Sequence, residues 1–285
     1  MKVVIDDAAD LSEELRTKYN IANIPVNVHF GTEQFLTGEN MTHDQFYRKA
    51  ANVNDDNWPK TSQPSPYQFE EFYRKLMAGG ERDILTITVG EKLSGTYPSA
   101  IAARKEIGDE ANITVFNSET ASGAQGMMAV EAVRMDRDGA SLDEILDRLA
   151  EIRDEHVITL VINSLEWAVK GGRVSGLRGM MASLLNIKPI MYLFDGEVVE
   201  AGKVRTHKKA LRFMADFAKE KVGDKPVRLS VLHANAAQEA EDLLETVKPM
   251  FNAQAVHVVN LCVPVAINLG PGTLGLILLP YYGEI

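Results

Sequence analysis

The chain has 285 residues, enough to bury one large core or two modest ones, and its 45% hydrophobic and 25% charged content excludes a disordered polymer. A formal net charge of −10 argues against broad contact with nucleic-acid phosphates. Cys262 is the sole cysteine, which excludes an intrachain disulfide and fits a cytoplasmic setting; in its apolar surroundings it reads as a small core residue.

In chain order, residues 2–5 read as a buried strand that follows Met1 directly, so no secretory leader is expected. Asp10 with Glu13 has the spacing of a capping box and predicts a helix to about Tyr19. Residues 24–30 read as the next strand. Thr42 with Gln45, and Ser65-Pro66 with Gln68, mark two further helix starts. Residues 84–89 form a β-branched, apolar strand that suits the middle of a parallel sheet, and it leads into Ser94-Gly95-Thr96 and a helix. A strand at 113–116 follows. Asn117-Ser118 and a long helix ending near Gly139 come next, and a Ser141/Glu144-capped helix places Leu142, Ile145, Leu146, Leu149 and Ile152 on one face. This alternation predicts a helix-covered, mostly parallel sheet.

The second half differs. A strand at 157–162 and a short helix at 165–170 end at Gly171-Gly172. Apolar runs on either side of Asp195-Gly196 then signal an antiparallel hairpin. Helices near 208–219 and 236–247 and strands near 227–232 and 255–259 follow. The run at 274–280 is too short to span a bilayer. The expected class is therefore α/β in two domains, a mostly parallel sheet in 1–155 and a mixed sheet in 156–285, with a soft boundary near Glu155.

Several patterns could carry chemistry. Thr61 and Ser62 stand ahead of the capping Ser65, in a segment stiffened by prolines 59, 64 and 66. Ser94-Gly95-Thr96 lies beyond the carboxyl end of a strand, where free helix amides favour an anion and Gly95 allows close approach; a plain Ser/Thr helix cap is the alternative. Two such hydroxyl turns in one half suggest a shared oxyanion site, and no GxxxxGK[ST] loop is present. Asp6, Asp7 and Asp10 could hold a divalent metal or act as a base, or simply bond loop amides and cap a helix. Lys170-Gly171-Gly172-Arg173 and residues 203–209, with Arg205, concentrate cations as a docking patch or a solvated helix start. The turn 268–273 could aim Asn268 at a pocket lined by the apolar Met180-Met181 and 183–190 stretches, which could equally be core. The six histidines show no metal spacing, and no cofactor is expected.

Together these motifs resemble the DegV family. The resemblance rests on Asp6 with Asp10-Leu11, the segments 61–66 (TSQPSP) and 93–97 (LSGTY), Gly171 to Ser175 (GGRVS), 184–190 (LLNIKPI) and 270–273 (GPGT), in family order along nearly the whole chain. It implies two α/β domains with a long-chain fatty acid between them. The carboxylate would be held by Thr61 and Ser94 and the tail in an apolar tunnel mostly through the second domain. It also implies a separate ATP-binding fatty acid kinase subunit as partner, with Arg173 and Arg205 serving docking or phosphoryl transfer, and it allows transient membrane-surface contact for lipid exchange. The chain would then be a lipid-binding carrier in phospholipid metabolism without a complete active site of its own.

Two positions depart from the family pattern. Asp7 stands where a serine is usual, and Asn268 where a histidine is usual. Asn can donate to a carboxylate but cannot change charge, and an extra acid repels a nearby anion unless it points away. Lipid binding is thus a firmer expectation than kinase turnover. Two alternatives stand beside it: a metal-dependent phosphate-processing enzyme using Asp6, Asp7 and Asp10, and a regulatory lipid sensor uncoupled from the kinase through Asp7 and Asn268.

Overall fold

The computed structural model describes residues 1–174 and 187–285. Ser175, Met180, Met181 and the 183–186 part of the apolar stretch, including Leu184-Leu185-Asn186, lie outside the described residues. The packing divides the chain into two units: Met1–Arg153 with Cys262–Pro264, and Asp154–Leu261 with Val265–Ile285.

The first unit is built on four parallel strands. They are β1 (Lys2–Asp6), β2 (Ala22–Ile24), β6 (Asp83–Thr88) and β7 (Asn112–Asn117), in the order β2-β1-β6-β7. The connecting helices are α1 (Glu13–Tyr19), α3 (Pro66–Ala78), α4 (Thr96–Ile107) and α5 (Ser122–Arg137), with α6 (Leu142–Glu155) after them. The chain leaves β1 toward β2 on one side and resumes on the other side at β6. The carboxyl ends of β1 and β6 therefore flank a topological switch point, where open α/β sheets bind ligands. Val4, Phe69, Tyr73, Ile84, Ala100, Ile107 and Ile113 fill one core beside this sheet. In α6, Ile145, Leu149 and Ile152 are buried as the spacing predicts, Leu146 is half-buried and Leu142 is exposed.

A second, smaller sheet was not legible in the sequence. Residues 24–30 do not form one strand, because Pro25 cannot donate to a ladder and separates β2 from β3 (Asn27–Phe30). β3 pairs antiparallel with β4 (Glu33–Leu36) and with β5 (Pro59–Ser62), so the segment expected to be a loop is an edge strand. Helix α2 (His43–Ala50) carries the Thr42/Gln45 capping box as read. The box predicted at Asp10 is absent. Ser12 caps α1 through Leu15 N, while Asp10 sits in a left-handed conformation (φ 46°) with its carboxylate turned inward. Helix α5 starts at Ser122, after Asn117-Ser118, where the Ser118 hydroxyl and Thr120 backbone close a turn on each other first.

The second unit contains a mixed sheet. Its strands are β8 (Val157–Val161), β9 (Lys188–Phe194), β10 (Glu197–Val204), β11 (Val227–His233), β12 (Ala253–Asn260) and β13 (Leu274–Pro280), ordered β10-β9-β8-β13-β11-β12. The Asp195-Gly196 hairpin forms as predicted, both residues having positive φ (50° and 71°). β13 lies antiparallel between β8 and β11 and joins the two halves of the sheet. Helices α7 (Leu165–Gly171), α8 (His207–Val222), α9 (Ala237–Val247) and α10 (Val263–Leu269) complete the unit's order, and Val161, Ile190, Met214, Leu229 and Leu276 form its core. Among the described residues no helix is long and apolar enough to cross a membrane.

Candidate functional site

The first hydroxyl turn is held by side-chain amides. Thr61 pairs with Val28 and Ser62 with Asn27 across β5 and β3. Beyond that register, the Asn27 amide donates to the carbonyls of Ser62 (3.4 Å) and Gln63 (3.2 Å) and exchanges bonds with Gln68 (3.2 and 3.3 Å). Gln68 also closes the α3 capping box, accepting from Ser65 N (2.9 Å) while its own N–H donates to Ser65 Oγ (3.2 Å). One glutamine thus starts the helix and clamps the turn ahead of it. Ser65 is consumed as the cap. Ser62, exposed, has its Oγ 3.1 Å from His29 Nε2. The half-buried Thr61 has no hydroxyl partner among the described residues.

The second turn follows β6. Ser94 Oγ lies 2.9 Å from Thr96 Oγ1, so the two hydroxyls bond each other. The cap position of α4 is Gly95, with no side-chain cap, and the first turn of the helix carries no acidic residue. The plain Ser/Thr cap is therefore not what forms here, and the helix keeps its leading amides and positive end unopposed by its own side chains. Gly95 also joins the two turns. A β-carbon there would stand 2.7 Å from Gln63 Nε2 and 3.0 Å from Gln63 Cδ, so the carboxamide of the first turn rests on the bare backbone of the second. Neither Gln63 nor Asn27 was singled out from the sequence. The signal available was only two amides beside a hydroxyl cluster.

The three acids take separate roles. Asp6 is fully buried. One of its oxygens accepts from Ala8 N (3.0 Å), the other from Val89 N (2.7 Å) and Gln125 Nε2 (2.9 Å). Burial outweighs these donors and pushes its carboxyl up to about 6. Asp10 accepts from Ser122 Oγ and Cys262 N, and burial again pushes it up to about 6, with the nearby His43 opposing. Asp7 accepts from Asn23 Nδ2 (2.8 Å). The three carboxylates are spent on different donors rather than converging, and no group of three metal-ligating side chains occurs among the described residues. The metal-dependent alternative thus lacks its ligand set there. Cys262 is buried as expected, but its N–H makes it a partner of Asp10 as well as a core residue.

In the second unit a different set converges. Asn268 lies in the last turn of α10, not in the loop expected from the sequence, and is half-buried. A β-carbon on Gly171 would stand 2.7 Å from Asn268 Cα, so the end of α7 packs backbone to backbone on α10. In the turn that follows, Gly270 and Gly272 have φ of 85° and 78°, and their faces rest on Trp167 and Asn163. Exposed Arg173 bends back to donate to Gly171 O (2.8 Å), and Val174 bridges Val198 on β10. Arg205 is exposed between β10 and α8. Beside it Lys203 lies 3.7 Å from Glu200, and His207 pairs with Glu239 at 2.6 Å. The structure therefore gathers Asn268, Gly171 and Arg173 at one place and puts Arg205 at the head of α8. A separate surface groove of about 390 Å³, lined by Phe30, Glu33, Gln45, Arg48, Lys49, Asn52 and Asn57, includes none of the predicted site residues.

The family model described as "Uncharacterised protein, DegV family" matches residues 1–281. The chain belongs to the DegV family. A DegV domain-containing protein of Listeria monocytogenes is 30% identical over 275 residues, covering 96% of each chain. Among solved structures, a hypothetical protein from Thermotoga maritima, reported to reveal a fatty acid binding function, superposes with a TM-score of 0.87 at 28% identity, covering 98% of this chain and 99% of that one. A stearic acid-binding protein from Eubacterium ventriosum superposes with a TM-score of 0.88 at 25% identity, covering 98% of each chain. The parallel sheet followed by a mixed sheet is the DegV arrangement.

Proposed function

We propose that this protein binds a long-chain fatty acid whose carboxylate is received by the hydroxyls of Thr61 and Ser94, with Ser62, Gly95 and Thr96 completing the donor set. The observation that carries this reading is the seating of Gln63 on Gly95, which brings both hydroxyl turns together at the carboxyl end of β6. A carboxylate taken out of water needs strong donors, and the Thr61 hydroxyl and the Ser94–Thr96 hydroxyl pair beside an uncapped helix start supply them. The fatty-acid-binding relatives support the ligand class. Purified protein is expected to carry a myristic, palmitic or stearic chain by native mass spectrometry, and Thr61→Val with Ser94→Ala to abolish it. A wild-type protein that is reproducibly empty, and whose melting does not shift with added fatty acid, overturns the reading.

The further step in this proposal is that the loaded protein is a carrier that presents its carboxylate to a separate ATP-dependent kinase subunit, which Arg173 and Arg205 serve. Both arginines are exposed residues of the second unit, and phosphoryl transfer draws chiefly on positioning and positive charge. Adding a kinase subunit and ATP to the loaded protein is expected to yield acyl phosphate, and Arg173→Ala or Arg205→Ala to suppress it while lipid stays bound. Unchanged turnover in both variants removes the arginines from this role.

A further inference from the structure

The loop that carries Ser94 is tied down by three consecutive backbone amides, one to the end of β1 and two to the 117–120 segment. Val89 N donates to Asp6 Oδ2 (2.7 Å), Gly90 N to Thr120 O (2.8 Å) and Glu91 N to Asn117 Oδ1 (3.1 Å). The next amides, Leu93 N and Ser94 N, both return to Gly90 O (2.9 and 3.1 Å), so the setting of Gly90 decides where Ser94 stands. Gly90 is itself wedged, since a β-carbon there would lie 3.0 Å from Glu119 C and 3.2 Å from Thr120 N.

Two of the three acceptors are side chains outside the hydroxyl cluster. Asn117 Oδ1 takes a second amide, Glu119 N (3.3 Å), and so fixes the segment that supplies Thr120 O. Asp6 takes neutral donors from three segments, and Gln125, which reaches it, also donates to Ile87 O (3.1 Å) on β6. The carboxylate bears the cost of full burial without a cation among its hydrogen-bond donors. An asparagine of the same shape would avoid that cost but has one acceptor oxygen where Asp6 uses two.

Resting on the reading of Thr61 and Ser94 as carboxylate holders, we propose that Asp6 and Asn117 are positioning residues, which touch no ligand but fix the 89–91 amides so that the Ser94 hydroxyl and the first amides of α4 face one anion. They impose at the switch point the rigidity that a side-chain cap would otherwise give, while leaving the helix start open.

The test compares binding of palmitic acid with binding of its alcohol, which has the same chain and no charge. Wild type is expected to prefer the acid. In Asp6→Asn and, independently, Asn117→Ala, acid affinity is expected to fall roughly tenfold, the size typical when a residue that orients a binding group is lost, with alcohol affinity unchanged. Asn117→Asp, which keeps the acceptor, is expected to restore most of the preference. Equal losses for acid and alcohol, or an unchanged preference in folded variants, overturn the inference while the carboxylate reading stands. A wild type with no preference for the acid takes down the carboxylate reading and this inference with it.

Discussion

The hydroxyl turns of the first unit and the glycine-rich turns of the second meet their neighbours in opposite ways. In the first, contact is made by flexible amides: Gln63 lies on Gly95, and Asn27 and Gln68 hold each other. In the second, contact is backbone on backbone or on a ring root, with Gly171 against Asn268 and Gly270 against the Cβ of Trp167. The first arrangement can adjust around an anion, whereas the second is a rigid mount to which Arg173 is tied back through Gly171 O.

Gly171→Ala is the sharpest way to break that comparison. Its new methyl meets backbone that cannot move aside, so a loss of about 3 kcal/mol is expected, read as a fall in melting temperature. Gly95→Ala meets only the end of a glutamine and is expected to cost under about 1 kcal/mol while separating the turns and weakening fatty acid binding. Equal destabilisation by the two would erase the distinction.

A next effect separates the buried acids from the surface. Burial raises the Asp6 and Asp10 carboxyls from the ordinary carboxylate range to about 6, so the folded protein binds their protons more tightly than the unfolded chain. Their contribution to stability is complete below the unfolded value and is lost as pH rises through about 6. Asp10→Asn is therefore expected to flatten the fall in stability between acid and neutral pH by roughly 3 kcal/mol, measured by urea unfolding along the pH range. An unchanged slope would deny that burial raises the Asp10 carboxyl in the fold.

Smaller effects follow at the ligand and the surface. Ser94→Ala is expected to weaken the acid by about 2 kcal/mol, a hydrogen bond to a charged group, by isothermal titration. Arg205→Ala is expected to stay within about 0.5 kcal/mol of wild-type stability, since it is exposed, so any change in turnover with a kinase reads on docking.

Local chemistry made much of the fold readable. The capping boxes at Thr42 and Ser65 and the Asp-Gly hairpin form where the residues demand them. What stayed hidden depended on distant partners. Asp10 forgoes its cap because Ser122 and Cys262, far along the chain, supply donors. Residues 61 and 62 became a strand because Asn27 and Val28 lay free beside them. The hydroxyl turns were visible as donors and Asp6 as an acid that bonds loop amides, but the glutamine that joins the turns was not. A glutamine does not announce its partner in one dimension.

The place of β13 bears on how the protein is made. With β13 absent, β8-β9-β10 and β11-β12 are two separate pieces of sheet, each with an open edge. Residues 274–280 are synthesised after all of them, so the second unit emerges from the ribosome with two unsatisfied edges and seals them in one late step. During that interval the nascent chain is exposed to edge-to-edge aggregation, and covering those two edges is what a chaperone would have to do for this unit.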